Sequence, residues 1–86
     1  MKVFFHKTFN KRFAKLSPKL QMKVEKAVLL FRKNPFDPHL RNHALSGDLS
    51  DRRAFSVGGD VRVIFKEHKN YILVIMLDVG THNQVY

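Results

Sequence analysis

The sequence has no cysteine, which excludes disulfide bonds and thiolate metal sites and makes a reducing compartment compatible with folding. It also lacks long apolar runs. No segment approaches the roughly 20 apolar residues that cross a bilayer, and the first residues do not have the pattern of a secretory signal. We therefore expect a cytoplasmic protein with no membrane contact.

The length of 86 residues predicts one domain, residues 1–86. No internal repeat, linker or low-complexity tract indicates a second unit. A domain of this size buries only roughly 60–65% of the surface that its unfolded chain exposes. Its stability is therefore expected to be modest, and a long-lived complex with another protein would increase it.

Acidic residues are scarce at the start of the chain. Residues 1–36 contain ten lysine or arginine side chains and one acid, Glu25, whereas residues 37–86 contain six side chains of each sign. The whole net charge of +9 therefore belongs to the first part of the sequence. Such an asymmetry favours binding of a polyanion such as RNA. A solvated helix face that maintains solubility is the alternative interpretation.

A strand over residues 2–5 and two helices are predicted before residue 34. Phe9, Phe13 and Leu16 recur at helical spacing in the first helix. Ser17-Pro18 then starts the second helix, because serine is a good N-cap and proline suits the first helical position. This helix runs to about Lys33 on an apolar stripe of Leu20, Val24, Ala27, Val28 and Phe31. The two helices form a hairpin.

The stretch from 34 to 47 contains helix-breaking prolines and is predicted to be an ordered loop anchored by Phe36, Leu40 and Leu45. Three strands follow, and the short turns between them indicate an antiparallel meander: 52–57, 61–66 and 71–77. The last of these is continuously apolar and is expected to be a central strand covered on both faces. The predicted class is therefore α+β, with one small sheet and the helices on one face.

Alternation along the strand at 61–66 separates two faces. Val61, Val63 and Phe65 share one face, and Arg62 lies on the other. If the apolar set packs under the helices, Arg62 lies on the open face of the sheet. The same alternation in the preceding strand places Arg53 away from that open face.

Four stretches of the sequence, taken in order, resemble those of one protein family. They are Asn34-Pro35-Phe36, Asn42-His43-Ala44-Leu45-Ser46-Gly47, Gly59-Asp60-Val61-Arg62-Val63-Ile64-Phe65 and Gly80-Thr81-His82-Asn83-Gln84-Val85-Tyr86. With the order of the predicted elements, they make the whole chain resemble the RelE/ParE superfamily of bacterial toxin–antitoxin systems, most closely its YafQ-like branch. The resemblance implies an endoribonuclease that cuts mRNA in the ribosomal A site, and a cognate antitoxin protein that holds it silent.

Metal-free RNA cleavage needs a base to activate a ribose 2′-hydroxyl, a cation to stabilise the phosphorane and an acid to protonate the departing 5′-oxygen. Histidine can serve in either proton-transfer role near neutral pH. The acidic residues are scattered without a metal-ligand spacing, and the one glycine pair is a hairpin turn rather than a phosphate-binding loop. We therefore expect no metal ion and no cofactor.

The resemblance implies His82 as the general acid, His43 as the general base or a phosphate ligand, and Arg62 as the cation at the scissile phosphate. Arg62 also has the planar fork that suits bidentate phosphate binding. Each residue has a structural alternative: an exposed loop histidine at 82, a histidine bonded to loop backbone at 43, and an ion pair of Arg62 with Asp60 or Asp78. The other three histidines match no motif and are interpreted as surface residues: His6, His39 and His68.

Asp60, Tyr86 and Arg53 complete the residues that the resemblance implies. Asp60 would orient or polarise a histidine, or else cap the glycine turn. Tyr86 would stack on a base or lie beside the phosphate. Arg53 agrees with a basic position of the family and is a candidate RNA contact. Because it lies on the strand face away from Arg62, a structural role fits it at least as well. Four lysines of the helical hairpin are assigned to RNA on charge alone: Lys11, Lys15, Lys19 and Lys23.

Two residues depart from the YafQ-like pattern. Ser56 stands where a histidine is common, and Val61 stands where a tryptophan often follows the aspartate. Either these two residues make cleavage weaker, or Arg62 contributes more to catalysis. Two non-catalytic functions are the alternatives: a ParE-like toxin that binds a protein such as DNA gyrase, and a basic RNA- or ribosome-binding module.

Overall fold

The computed structural model describes residues 1–86, which form a five-stranded sheet and three helices. The strands are β1 (Lys2–Phe5), β2 (His43–Ala44), β3 (Arg53–Gly58), β4 (Val61–His68) and β5 (Leu73–Thr81). The helices are α1 (Lys7–Ala14), α2 (Pro18–Lys33) and the short α3 (His82–Val85). Two 3₁₀ turns, Pro38–Leu40 and Gly47–Leu49, lie between α2 and β3.

Both helices of the hairpin begin with a side-chain cap. The Ser17 hydroxyl accepts a hydrogen bond from the Leu20 N–H at 3.3 Å, and Pro18 takes the first helical position of α2, as predicted. At the start of α1, His6 Nδ1 accepts from the Thr8 N–H at 3.1 Å. His6 is exposed, and it also has a structural role as the N-cap of α1.

The strands are ordered β1-β5-β4-β3-β2 across the sheet. β3, β4 and β5 pair antiparallel, so the predicted meander is confirmed. β1 pairs parallel with β5 and β2 pairs antiparallel with β3, which makes the sheet mixed. The N-terminal strand therefore belongs to the same sheet as the meander.

Phe31 of α2 is fully buried at the centre of the core. Its ring stacks on Phe55 with centroids 4.8 Å apart and meets Phe65 edge-on at 4.8 Å. Phe9 of α1 and Met76 of β5 belong to the same buried cluster. These contacts join the helical hairpin to one face of the sheet and leave the other face without a long helix. The predicted α+β class, with the helices on one face, is confirmed.

The segment before β3 is not only a loop. His43 and Ala44 form β2 by pairing with Ala54 and Arg53. A strand of two residues shows no alternation in the sequence, so hydrophobic periodicity gave no sign of it. Its effect is to attach the His43 segment to the edge of the sheet.

The last strand also differs from the prediction, since β5 spans Leu73–Thr81 rather than residues 71–77. Tyr71 lies in the preceding turn with a φ of 70°. β5 lies between β1 and β4 and is therefore a central strand, as predicted, but only one of its faces is fully covered. Val74 and Met76 are buried, but Ile75 between them is half-buried, because the helices cover one face only.

Candidate active site

The face of the sheet away from the helical hairpin carries the candidate site. Val63 of β4 lies opposite Phe55 of β3, and both are buried in the core. Arg62 precedes Val63 and therefore lies on the other face, because successive strand residues alternate. Its partners across the sheet are Ser56 of β3 and Gly80 of β5. Arg62 thus occupies the open face that strand alternation predicted.

Arg62 has no carboxylate partner. Its Nη1 donates to the backbone oxygens of Gly59 in the adjacent turn, at 2.9 Å, and of Val61 at the start of β4, at 3.1 Å. Asp78 instead binds Arg12 of α1, with Nε and Oδ1 3.3 Å apart. Asp60 takes part in none of the four ion pairs of the chain. The ion-pair interpretation of Arg62 is therefore wrong, and its Nε and Nη2 hydrogens have no partner within the chain.

His82 and Tyr86 form an aromatic pair in α3. Their ring centroids lie 4.5 Å apart at an interplanar angle of 81°, so the edge of one ring meets the face of the other. At the start of α3, Gln84 Oε1 accepts a hydrogen bond from the Thr81 N–H at 2.9 Å. The side chain of His82 is therefore exposed but held in place by a capped helical turn and a ring contact.

Tyr86 is close enough to Arg62 for the charge of the guanidinium to act on its phenol. Partial burial raises the pKa of the Tyr86 phenol above its ordinary value, and the positive charge of Arg62 opposes part of that rise. The phenol is therefore neutral at physiological pH. It offers a hydrogen-bond donor and an exposed aromatic surface at this end of the sheet.

Asp60 joins the glycine turn to α3 through its backbone. The Asp60 carbonyl oxygen accepts a hydrogen bond from the His82 N–H at 3.1 Å. The turn itself depends on Gly59, whose φ of 54° lies in the left-handed region. This contact positions His82 through the main chain of Asp60, and the carboxylate of Asp60 is exposed.

His43 reaches the same open face from β2. It lies opposite Ala54, which pairs with Ile64, a residue on the Arg62 side of β4. His43 Nδ1 is 2.8 Å from the Arg41 carbonyl oxygen. Because a carbonyl only accepts, Nδ1 carries the hydrogen, and a neutral ring keeps Nε2 as a free acceptor. The predicted backbone bond and a role as base are therefore compatible.

Asn42 fixes the loop directly before His43. Its Nδ2 donates to the Pro35 carbonyl and to the Tyr71 hydroxyl, each at 3.0 Å, and its Oδ1 accepts from Arg53 Nε at 2.9 Å. These contacts support a structural role for Arg53, and RNA binding by Arg53 stays a prediction. Sequence reasoning did not single out Asn42, although its position beside a candidate histidine was a usable signal.

The candidate residues lie on two neighbouring parts of the sheet. Asp60, Arg62, His82 and Tyr86 come together where β4 and β5 meet α3. His43 lies two strands from β4, a lateral separation of about 10 Å between the backbones. Arg62 is therefore flanked by one histidine on the β5 side and by the other on the β2 side.

Comparison with known proteins then decides the family. A family model described as "Bacterial toxin of type II toxin-antitoxin system, YafQ" matches residues 1–86, the whole chain. The chain belongs to the YafQ family. No curated protein sequence is significantly similar to it.

Solved structures agree with this membership at the level of the fold. YafQ from E. coli BL21(DE3) aligns with a TM-score of 0.80 and 21% identity, covering 99% of this chain and 97% of that one. A chain of the E. coli DinJ–YafQ toxin–antitoxin complex gives 0.77 and 21%, covering 99% and 96%. A YoeB/ParE toxin from Agrobacterium tumefaciens gives 0.78 and 12%, covering 95% and 99%. The RelE/ParE-like fold is therefore shared across these toxins.

The two departures from the YafQ-like pattern have different structural consequences. Ser56 lies opposite Arg62 on the open face, so a polar side chain without a titratable group stands there. Val61 is only 5% exposed and belongs to the core. Position 61 therefore offers no stacking surface in this YafQ-family chain, and Tyr86 supplies an exposed aromatic ring at this end of the sheet.

The four lysines assigned to RNA are exposed on the helical hairpin. Lys15 lines a cleft with Arg12 and Gln84, close to α3, and Lys23 lines another cleft beside β3. No contact links Lys11 or Lys19 to the candidate site. The chain gathers no group of three potential metal ligands, and none of its helices is long and apolar enough to cross a bilayer.

Proposed function

We propose that this YafQ-family protein is a ribosome-dependent endoribonuclease, which cuts mRNA in the A site by attack of a ribose 2′-hydroxyl and without a metal ion. One observation carries the proposal. Arg62 has no carboxylate partner and lies on the open face between His43 and His82. A cation flanked by two proton-transfer groups is what this chemistry requires.

In the proposed reaction, His43 Nε2 takes the proton of the 2′-hydroxyl, whose oxygen then bonds to the adjacent phosphorus. Arg62 stabilises the charge of the phosphorane with its unpartnered hydrogens. The bond from phosphorus to the 5′-oxygen breaks, and His82, initially protonated, donates its proton to that oxygen. The products are a 2′,3′-cyclic phosphate and a 5′-hydroxyl. His43 has gained one proton and His82 has lost one, so exchange with water restores both before the next turnover.

Tyr86 and Asp60 have supporting roles in this proposal. The neutral phenol of Tyr86 donates to a phosphate oxygen or stacks its ring on a base beside the scissile bond. The Asp60 carbonyl holds the N–H of His82 and so sets the position from which the acid acts. Both roles depend on the glycine turn and α3 keeping their contact.

We also assign to the protein an antitoxin partner that keeps it inactive. The E. coli DinJ–YafQ complex is a toxin–antitoxin assembly with the same fold, and its resemblance supports the assignment. Several large apolar side chains are exposed on this small protein, including Phe4 at 57% and Leu29 at 64%. A bound protein partner would cover such surface.

Single-turnover cleavage on a ribosome programmed with a defined mRNA tests the proposal. We expect cuts in the A-site codon that leave a 2′,3′-cyclic phosphate and a 5′-hydroxyl. Ends with a 3′-hydroxyl and a 5′-phosphate would instead indicate attack by water. Growth arrest on induced expression without any cleavage would contradict the nuclease and favour a ParE-like toxin that binds a protein target.

A further inference from the structure

Two clefts join on the β3 side of Arg62. The first, of about 270 Å³, runs from Arg62 past Arg41 to His39. The second, of about 290 Å³, lies between α2 and the outer edge of β3 and is lined by Lys23 and Lys26. They share His39 and the segment 56–58 as walls. Together they form one groove, the β3-edge groove, that leads from the candidate active site onto α2.

The groove exists because β2 is short. β2 pairs only with Arg53 and Ala54, so the rest of β3 has no neighbouring strand on its outer side. The turn Pro38–Leu40 packs there instead, with Leu40 buried at 2% exposure. Arg41 follows in the left-handed region, with a φ of 51°, and turns the chain back into β2. These features hold the Arg41 backbone at the mouth of the groove.

The lining of the groove is basic along its whole length. Its charged or titratable residues are Lys23, Lys26, His39, Arg41 and Arg62. No carboxylate lines either cleft. The one acid in contact with this set is Asp37, whose Oδ1 lies 2.9 Å from His39 Nδ1. Lys23, Lys26 and Arg41 are exposed and have no ion-pair partner.

We infer that the β3-edge groove binds the sugar–phosphate backbone of single-stranded RNA, with Lys26 and Arg41 as phosphate contacts. The inference rests on the proposed function and extends it, because the groove begins at Arg62. The nucleotides held there lie on the side of the scissile phosphate away from His82 and Tyr86. A row of cations along a narrow channel suits a polyanion of regular charge spacing. An acidic protein segment is the competing occupant.

A salt titration tests the inference. The double variant Lys26→Gln/Arg41→Gln is compared with the double variant Lys2→Gln/Lys7→Gln, which removes the same charge from exposed positions around β1, at the opposite edge of the sheet. The probe is a short RNA with 2′-O-methyl groups throughout, which cannot be cleaved by 2′-hydroxyl attack. Fluorescence anisotropy gives its affinity between about 50 and 200 mM salt.

We expect the groove variant to bind about tenfold more weakly at the lowest salt, with a slope of log affinity against log salt shallower by about 1.4, or about 0.7 for each lost phosphate contact. Lys26→Gln alone is expected to reduce the slope by about 0.7 and avoids any change at the left-handed position 41. The β1 control keeps the wild-type slope. Equal slopes in the groove and control variants, or no binding by wild type at the lowest salt, would overturn the inference.

Two further measurements separate the possible failures. A polyglutamate peptide replaces the RNA in the same titration. If the groove variant binds the peptide more weakly but binds the RNA as wild type does, the groove would be reassigned to an acidic protein segment. Cleavage on the programmed ribosome is followed in parallel. RNA binding that depends on the groove, without cleavage by wild type, would contradict the nuclease but keep the groove. Cleavage by wild type, together with unchanged RNA binding by the groove variant, would support the nuclease and contradict the groove.

Discussion

Arg53 donates its Nε hydrogen to Asn42 Oδ1 at 2.9 Å, and this bond connects the first residue of β3 to the residue that precedes His43 and β2. Asn42 has two further bonds, from Nδ2 to the Pro35 carbonyl and to the Tyr71 hydroxyl. Its amide thus joins three segments that are distant in sequence. The position of His43 therefore depends on a neighbour with no proton-transfer chemistry of its own.

Replacing Asn42 by alanine is expected to reduce cleavage through His43. The variant loses three hydrogen bonds, one of them to a charged partner, so the free energy of unfolding should fall by about 1–3 kcal/mol. At a saturating ribosome concentration, the single-turnover rate should fall while ribosome affinity changes little. Asn10→Ala, at an exposed position of α1, is the matched control and should leave both unchanged. A less stable Asn42→Ala protein that cleaves at the wild-type rate would limit Asn42 to a structural role.

Local signals in the sequence predicted much of the fold. Ser17 and Pro18 specify the start of α2 through their own chemistry, and the alternation around Arg62 determines its face. β2 was not predicted, because its two residues have no strand pattern of their own and form a strand only by pairing with β3. Likewise, the contact between Arg53 and Asn42 joins residues 11 positions apart, and no spacing rule indicates such a bond.

Because His82 is the proposed general acid, we expect the variant His82→Ala to lose its toxicity. Removal of a positioned proton donor typically costs about 10²–10⁴ in rate, which should relieve growth arrest on induced expression. His68→Ala, which removes an exposed histidine at the end of β4, should remain toxic. Circular dichroism and thermal unfolding check that both variants fold. A folded His82→Ala protein as toxic as wild type would exclude His82 as the acid.

Tyr86 should titrate above its ordinary pKa of about 10, because partial burial raises the pKa of its phenol. The folded state then holds this proton more tightly than the unfolded state. Its contribution to stability is complete below about pH 10 and is lost as the pH rises through the folded-state pKa. Wild type should therefore lose stability relative to Tyr86→Phe only in that alkaline range, as measured by urea unfolding at several pH values. A constant difference across this range would contradict the raised pKa.

Substitutions of Arg62 distinguish a catalytic role of this residue from a binding role. Its charge should stabilise the phosphorane more than the ground state, and only such differential stabilisation lowers the barrier. Arg62→Ala is therefore expected to slow single-turnover cleavage by about 10²–10³, a typical loss for one stabilising donor, with little change in ribosome affinity. Arg62→Lys should recover part of the rate, because lysine keeps the charge but not the planar fork.

The control for Arg62 is Arg32→Ala, which removes an exposed arginine from the last turn of α2. It should leave both the rate and the affinity near wild type. Equal losses of rate and affinity in Arg62→Ala would make Arg62 a binding residue rather than a catalytic one. Full recovery by lysine would show that charge alone is sufficient, and the bidentate contact to the phosphate would then be wrong. The ratio of the two losses, measured on the same ribosome complex, therefore decides which step Arg62 serves.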